Sequence, residues 1–182
     1  QDLYSYVTTR INNGEVDKEN VIRILQKADF NIVDLKIDKT KLPPSKISQL
    51  QAQMAFYNKT LQQLSDEGSF VNVQLGFKHA IKASNGTQHA VLPYEQQSLG
   101  TQRFYQFAGV LDLLMRNPKV AVFDEIESSL HPELLKYFIL LFLRNTRESQ
   151  LIFTTHQRDF LQENEMLRQD VIHFTEKGED GS

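Results

Sequence analysis

VAVFDEIESSLHP, residues 120–132, and LIFTTH, residues 151–156, decide how this chain is read. Each begins as a short apolar run and stops abruptly in polar residues. Asp124 and Glu125 close the first run and His156 closes the second. Between them lies about one helix of sequence, the spacing of a βαβ unit, whose two strands are parallel. Parallel neighbours deliver their ends to one edge of a sheet, and ligands of open α/β sheets bind just beyond those carboxyl ends. An acid pair and an imidazole converging there suit metal-assisted attack of water on a phosphate.

Working outward, the same alternation continues. Patterning predicts a helix from about Ser98 to Arg116, a strand over 119–125, a helix over 132–146, a strand over 150–155 and a last strand, VIHFTEK, over 171–177. The segment ELLKYFILLFLR is apolar nearly all round, which predicts a helix buried between layers. Upstream, VNVQLGFKHAI and HAVLPY flank Ser84-Asn85-Gly86-Thr87, and Asn-Gly between strand-like runs is a hairpin signal. Residues 1–29 read as helical, with Asp17 capping VIRILQKA, and NIVDLKID at 31–38 reads as a strand. Pro43 and Pro44 then break the chain, and Ser45 can cap a polar helix running to about Ser65. The expected fold is therefore α/β: a largely parallel sheet with flanking helices, an antiparallel hairpin near 71–94 and a helical flank. Residues 1–70 form that flank or insertion, a docking part for another protein, and residues 71–182 form the core that carries the chemistry.

Composition narrows the functions. With 20 basic and 23 acidic residues the formal net charge is -3, so no overall basic bias recruits nucleic acid. There are no cysteines, which excludes disulfide scaffolds and cysteine zinc sites and is compatible with a reducing, cytoplasmic setting. The opening QDLYSYVTTR lacks both an initiator methionine and the pattern of a signal peptide, so an internal piece of a longer protein is expected. The longest greasy stretch, YFILLFLR, is far too short to span a bilayer. Acids cluster as Asp124, Glu125 and Glu127 and in the tail, too few on strands for a two-metal nuclease centre, and no G-x-S-x-G elbow supports serine hydrolase chemistry.

Each chemical residue also has a plain structural reading. Strand alternation turns Asp124 and Glu125 to opposite faces, so one can hold magnesium while the other polarises water; equally, an acidic strand end can cap the next helix. His156 can donate to a terminal phosphate, or simply be a satisfied strand-end histidine. In QQSLGTQRF, residues 96–104, Ser98, Gly100 and Thr101 stand where a helix begins, and its free N–H groups suit a phosphate. A bare serine N-cap is the alternative. His131-Pro132 reads most simply as the start of the next helix.

Together these segments resemble the C-terminal half of an ABC-class ATPase. SLGTQ looks like its signature motif, AVFDE its Walker B strand, ESSLHP its D-loop and TTH its switch histidine. Within the class, S-x-G-T followed by DE-x-x-SSLHP and LIFTTH is most similar to the bacterial RloA-like ATPases, related to the overcoming-lysogenisation-defect proteins. The resemblance covers residues 92–182 with specific motifs. It implies ATP and Mg2+ as cofactors, with Asp124 at the magnesium, Glu125 as general base and His156 sensing the terminal phosphate. Ser98, Gly100 and Thr101 would contact nucleotide held by a second protomer, and Ser128, Ser129 and His131 would lie on the loop crossing that interface. His131 stands where many ABC proteins carry an aspartate. The resemblance also implies a homodimer or higher oligomer and a nuclease or toxin partner in anti-phage defence. Direct nucleic-acid binding, as in chromosome and repair ABC proteins, is unsupported by the charge, and no membrane is implied.

One departure matters. No G-x-x-x-x-G-K-[ST] loop occurs, and none of the eight glycines is followed by lysine. Without that cradle the β- and γ-phosphates are not held. The expectation is that the loop lies upstream and that these residues alone are inert as an ATPase; a pseudo-enzyme half is the alternative.

Overall fold

The computed structural model describes residues 2–28, 30–41, 71–83, 86–157 and 166–175, so the expected polar helix over 45–65 lies outside the described residues. The chain folds as an α/β protein in two units, Gln1–Leu113 and Leu114–Ser182.

In the first unit, α1 spans Leu3–Asn12 and α2 spans Lys18–Lys27. The Asp2 side chain accepts the Ser5 N–H at 2.6 Å, and Asp17 caps α2 by accepting from Glu19 and Asn20. Gly14, at φ 76, makes the left-handed turn between the two helices. Strands β1 (Ile32–Lys41), β2 (Val71–Ala83) and β3 (Gly86–Pro93) form an antiparallel sheet in that order. Phe77 stands opposite both Leu35 and Leu92. β3 begins at Gly86 with φ 122, a conformation that explains why glycine follows asparagine there.

Helix α3, Leu99–Arg116, contributes Phe104, Tyr105, Phe107 and Leu111 to the core. The rings of Phe77 and Tyr105 meet edge to face at 5.4 Å, and Tyr4 packs on Tyr94 at 4.1 Å. The Thr8 and Tyr105 hydroxyls lie 2.9 Å apart in this core. Burial pushes the Tyr105 phenol up, and the Thr8 contact opposes that shift. Asp112, almost fully buried, accepts the Asp17 N–H at 2.9 Å and the Asn20 side-chain amide at 2.7 Å. It brings a carboxylate to the start of α2, where the dipole favours negative charge.

In the second unit, β4 (Val120–Phe123) and β5 (Gln150–Phe153) pair in parallel, with Val122 opposite Ile152. Helix α4, Pro132–Asn145, is the crossover between them. His131-Pro132 opens α4 as the sequence led us to expect, with the His131 Nδ1 also accepting the Glu133 N–H at 3.4 Å. Alternation is strict: Ala121, Phe123, Leu151 and Phe153 turn partly inward, and Phe123 meets Phe138 of α4 edge to face at 6.3 Å. On the opposite face Val120, Val122 and Ile152 are 60, 71 and 54% exposed.

Two expectations are corrected here. Helix α4 is not buried all round: Leu135, Phe138, Ile139 and Phe142 are buried, whereas Leu140 and Leu143 face solvent, because one side alone packs on the strand pair. Over its described residues, 171–175, the expected closing strand is not formed either. Gln169–Val171 is a short 3-10 turn, residues 172–175 have no regular structure, and Phe174 is exposed. Strand patterning becomes a strand only where a neighbouring ladder accepts it, and no such neighbour pairs with these residues among those described.

Candidate functional site

The strands stop at Phe123 and Phe153, two residues short of the expected ends, so Asp124, Glu125 and His156 all lie on the loops just beyond them. Backbone pairing nevertheless continues past the strand ends. The Thr154 N–H donates to the Phe123 carbonyl at 3.0 Å and the Ile126 N–H donates to the Thr154 carbonyl at 3.1 Å. Thr154 stitches the loops a second time: its hydroxyl donates to Asp124 Oδ1 at 2.5 Å and accepts the Glu125 N–H at 2.8 Å. These bonds hold the two loops side by side on one rim.

On that rim His156 Nε2 lies 3.7 Å from Glu125 Oε1, and both side chains are open to solvent. The distance is too long for a hydrogen bond and short enough for both groups to reach one bound molecule. Glu125 has φ 45, the left-handed region that side-chain-bearing residues seldom adopt. Both acids lie beyond the end of β4, so strand alternation does not set their directions as the sequence implied. Ser129 is also left-handed, at φ 63. Two strained residues in one short loop are a cost of about 1–3 kcal/mol each, of the kind that gathers at working sites.

Sequence reading undervalued two residues at this rim. Thr154 ties Asp124 to Glu125, and Glu127 accepts the His156 backbone N–H at 2.7 Å. Burial pushes the Glu127 carboxyl up, but the backbone and Thr155 hydrogen bonds and the nearby His156 outweigh it and hold it below the ordinary value. No sequence signal marks either residue, since both contacts form across about thirty positions of chain.

Asp124 is a fitting partial ligand for magnesium: exposed, with Thr154 fixing one of its oxygens. Among the described residues no cluster of three or more histidines and acids could hold a metal by itself. Magnesium favours one or two carboxylates plus water and phosphate oxygens, so any such ion here would be completed by its ligand. Ser128 and Ser129 are exposed on the same loop, and His131 lies at its end.

The Ser98 segment belongs to the first unit. Ser98 Oγ accepts the Thr101 N–H at 3.1 Å and lies 2.8 Å from the Thr101 hydroxyl, so serine caps α3. Ser98 and Leu99 are exposed, Gly100 is half-buried and Thr101 is buried. Gln102, unmarked in the sequence reading, fixes this turn by donating to the Tyr94 and Gln97 carbonyls at 3.0 and 3.1 Å.

The family comparison places the chain among AAA-type ATPase domains. The chain matches, over residues 15–161, the family described as "AAA domain, putative AbiEii toxin, Type IV TA system", and it belongs to that family. No curated protein matches it. Among solved structures, a crystal structure of the SmcHead bound to the C-winged helix domain of ScpA is similar at 16% identity and a TM-score of 0.44, covering 79% of this chain. The chain spans about a third, 35%, of that structure's chain. No helix among the described residues is long and apolar enough to cross a membrane.

Proposed function

We propose that this chain is the catalytic-carboxylate portion of an ATP-hydrolysing ABC-type switch. The observation that carries the reading is the pairing of Glu125 and His156 at 3.7 Å beside Asp124, on one rim beyond two parallel strands. Glu125 takes the proton of the attacking water as general base. His156 donates to the terminal phosphate and orients that water relative to Glu125. Asp124 holds magnesium directly or through water, and magnesium supplies charge neutralisation at the phosphates. Ser98 and the backbone at Gly100 contact nucleotide held by a second protomer, with Thr101 steadying the Ser98 hydroxyl from below. Ser128, Ser129 and His131 lie at the crossing between the two heads. A phosphate loop upstream of these residues completes the pocket, so the present segment is inert alone.

The particular kind of switch we favour is a RloA-like defence ATPase that holds or releases a nuclease or toxin according to nucleotide state. The family description, with its toxin and type IV toxin–antitoxin wording, supports that direction. Light scattering on the full-length protein tests the two-headed site. Glu125→Gln with ATP is expected to accumulate a long-lived dimer that wild type forms only transiently. A variant that stays monomeric at saturating ATP would contradict the shared pocket.

A further inference from the structure

We infer that Glu127 is the positioning residue for His156, coupling the loop after β4 to the orientation of the imidazole. The inference rests on the reading of His156 as the phosphate-sensing group. Ile126, fully buried, pairs with the Thr154 carbonyl and leaves Glu127 facing Thr155 and His156. Glu127 Oε1 takes the His156 N–H at 2.7 Å, short for an N–H···O bond and typical of a charged acceptor. Its other oxygen, Oε2, is buried and has no hydrogen-bond partner among the described residues. The Thr155 side chain bonds to the same carboxyl, so Glu127 grips two successive residues of the loop after β5.

That grip sets where the histidine ring starts from, and catalytic geometry tolerates little error in such placement. The loop is itself wound as two successive turns. The Ser128 N–H donates to the Glu125 carbonyl and the Leu130 N–H to the Glu127 carbonyl, both at 2.9 Å. With Glu125 and Ser129 left-handed, the loop has few alternative conformations. A displacement at Ser128 or Ser129 therefore moves Glu127, and Glu127 moves His156. In this arrangement the imidazole follows events at the loop through its backbone, in addition to its side-chain approach to Glu125.

The test uses the full-length protein and the variants Glu127→Ala and Glu127→Gln, with ATP hydrolysis and hydrogen exchange over residues 154–157 as readouts. Glu127→Ala is expected to lower kcat about tenfold or more with KM within about twofold, since positioning errors act on the chemical step. Exchange at the His156 amide should quicken by about tenfold in the same variant as its acceptor is lost. Glu127→Gln, whose carbonyl can accept the same bond, should restore both to near wild type. Unchanged exchange or unchanged kcat in Glu127→Ala would overturn the inference, as would a Glu127→Gln variant as impaired as alanine. If wild type hydrolyses no ATP, the ATPase reading fails by itself, and exchange with its glutamine rescue still decides whether Glu127 holds the His156 backbone.

Discussion

The two units spend their residues differently. In the first, an aromatic core closes around Phe77 and Tyr105, and its buried polar groups Thr8 and Asp112 are hydrogen-bonded. In the second, two residues of one loop hold left-handed backbones, Glu125 at φ 45 and Ser129 at φ 63. Strain persists only where surrounding bonds over-determine it, and the Thr154 and Glu127 contacts supply that determination here.

Substitutions can break or sharpen this contrast. Phe77→Ala should cost about 3–5 kcal/mol in urea unfolding, because it opens a cavity under Tyr105 and Tyr94. A loss below about 1 kcal/mol would mean that the first unit is not closed as described. Asp112→Ala should cost about 2–3 kcal/mol, because it strips acceptors from the Asp17 backbone and the Asn20 side chain. In the second unit the sign reverses: Ser129→Gly should stabilise by about 0.5–1 kcal/mol, since glycine adopts φ 63 without strain. Thermal unfolding checks it, and a destabilised glycine variant would show that the left-handed turn costs nothing. Val122→Thr, on the exposed strand face, should change stability by less than about 0.5 kcal/mol.

Acid supplies a still smaller effect. The Lys18 ammonium, 2.7 Å from Asp34, holds that carboxyl below its ordinary value. A depressed carboxylate pKa contributes stability above its unfolded value, and that contribution is lost as pH falls through the folded value. Both side chains are more than a third exposed, so solvent screening keeps the contribution under about 1 kcal/mol. Lys18→Met should therefore lower stability slightly at neutral pH and not at all once Asp34 is protonated, measured as urea midpoints across acid pH.

Local chemistry made much of this legible beforehand. Asp17 as a cap, the hairpin around Asn85-Gly86, His131-Pro132 opening a helix and two apolar runs with polar tips are all decided within a few residues. What escaped the sequence is long-range. Asp112 reaches α2 across about ninety positions, and Glu127 reaches His156 across about thirty. The left-handed turn at Glu125 has no signature either, because nothing in Asp-Glu-Ile-Glu demands a positive φ. Over the described residues 171–175 the final strand did not form for the converse reason: VIHFT has strand residues, but a strand exists only beside a partner. In the same way, α4 looked buried all round because composition counts apolar side chains and cannot count the surfaces available to cover them.

The central claim is that an acid and an imidazole on one rim work together on one phosphate. Single-turnover ATP hydrolysis by the full-length protein tests it most directly, comparing wild type with Glu125→Gln and His156→Ala. Each variant is predicted to bind ATP and to hydrolyse it at least about a hundredfold more slowly, with the double variant little worse than either alone. Hydrolysis at the wild-type rate in Glu125→Gln would contradict the account.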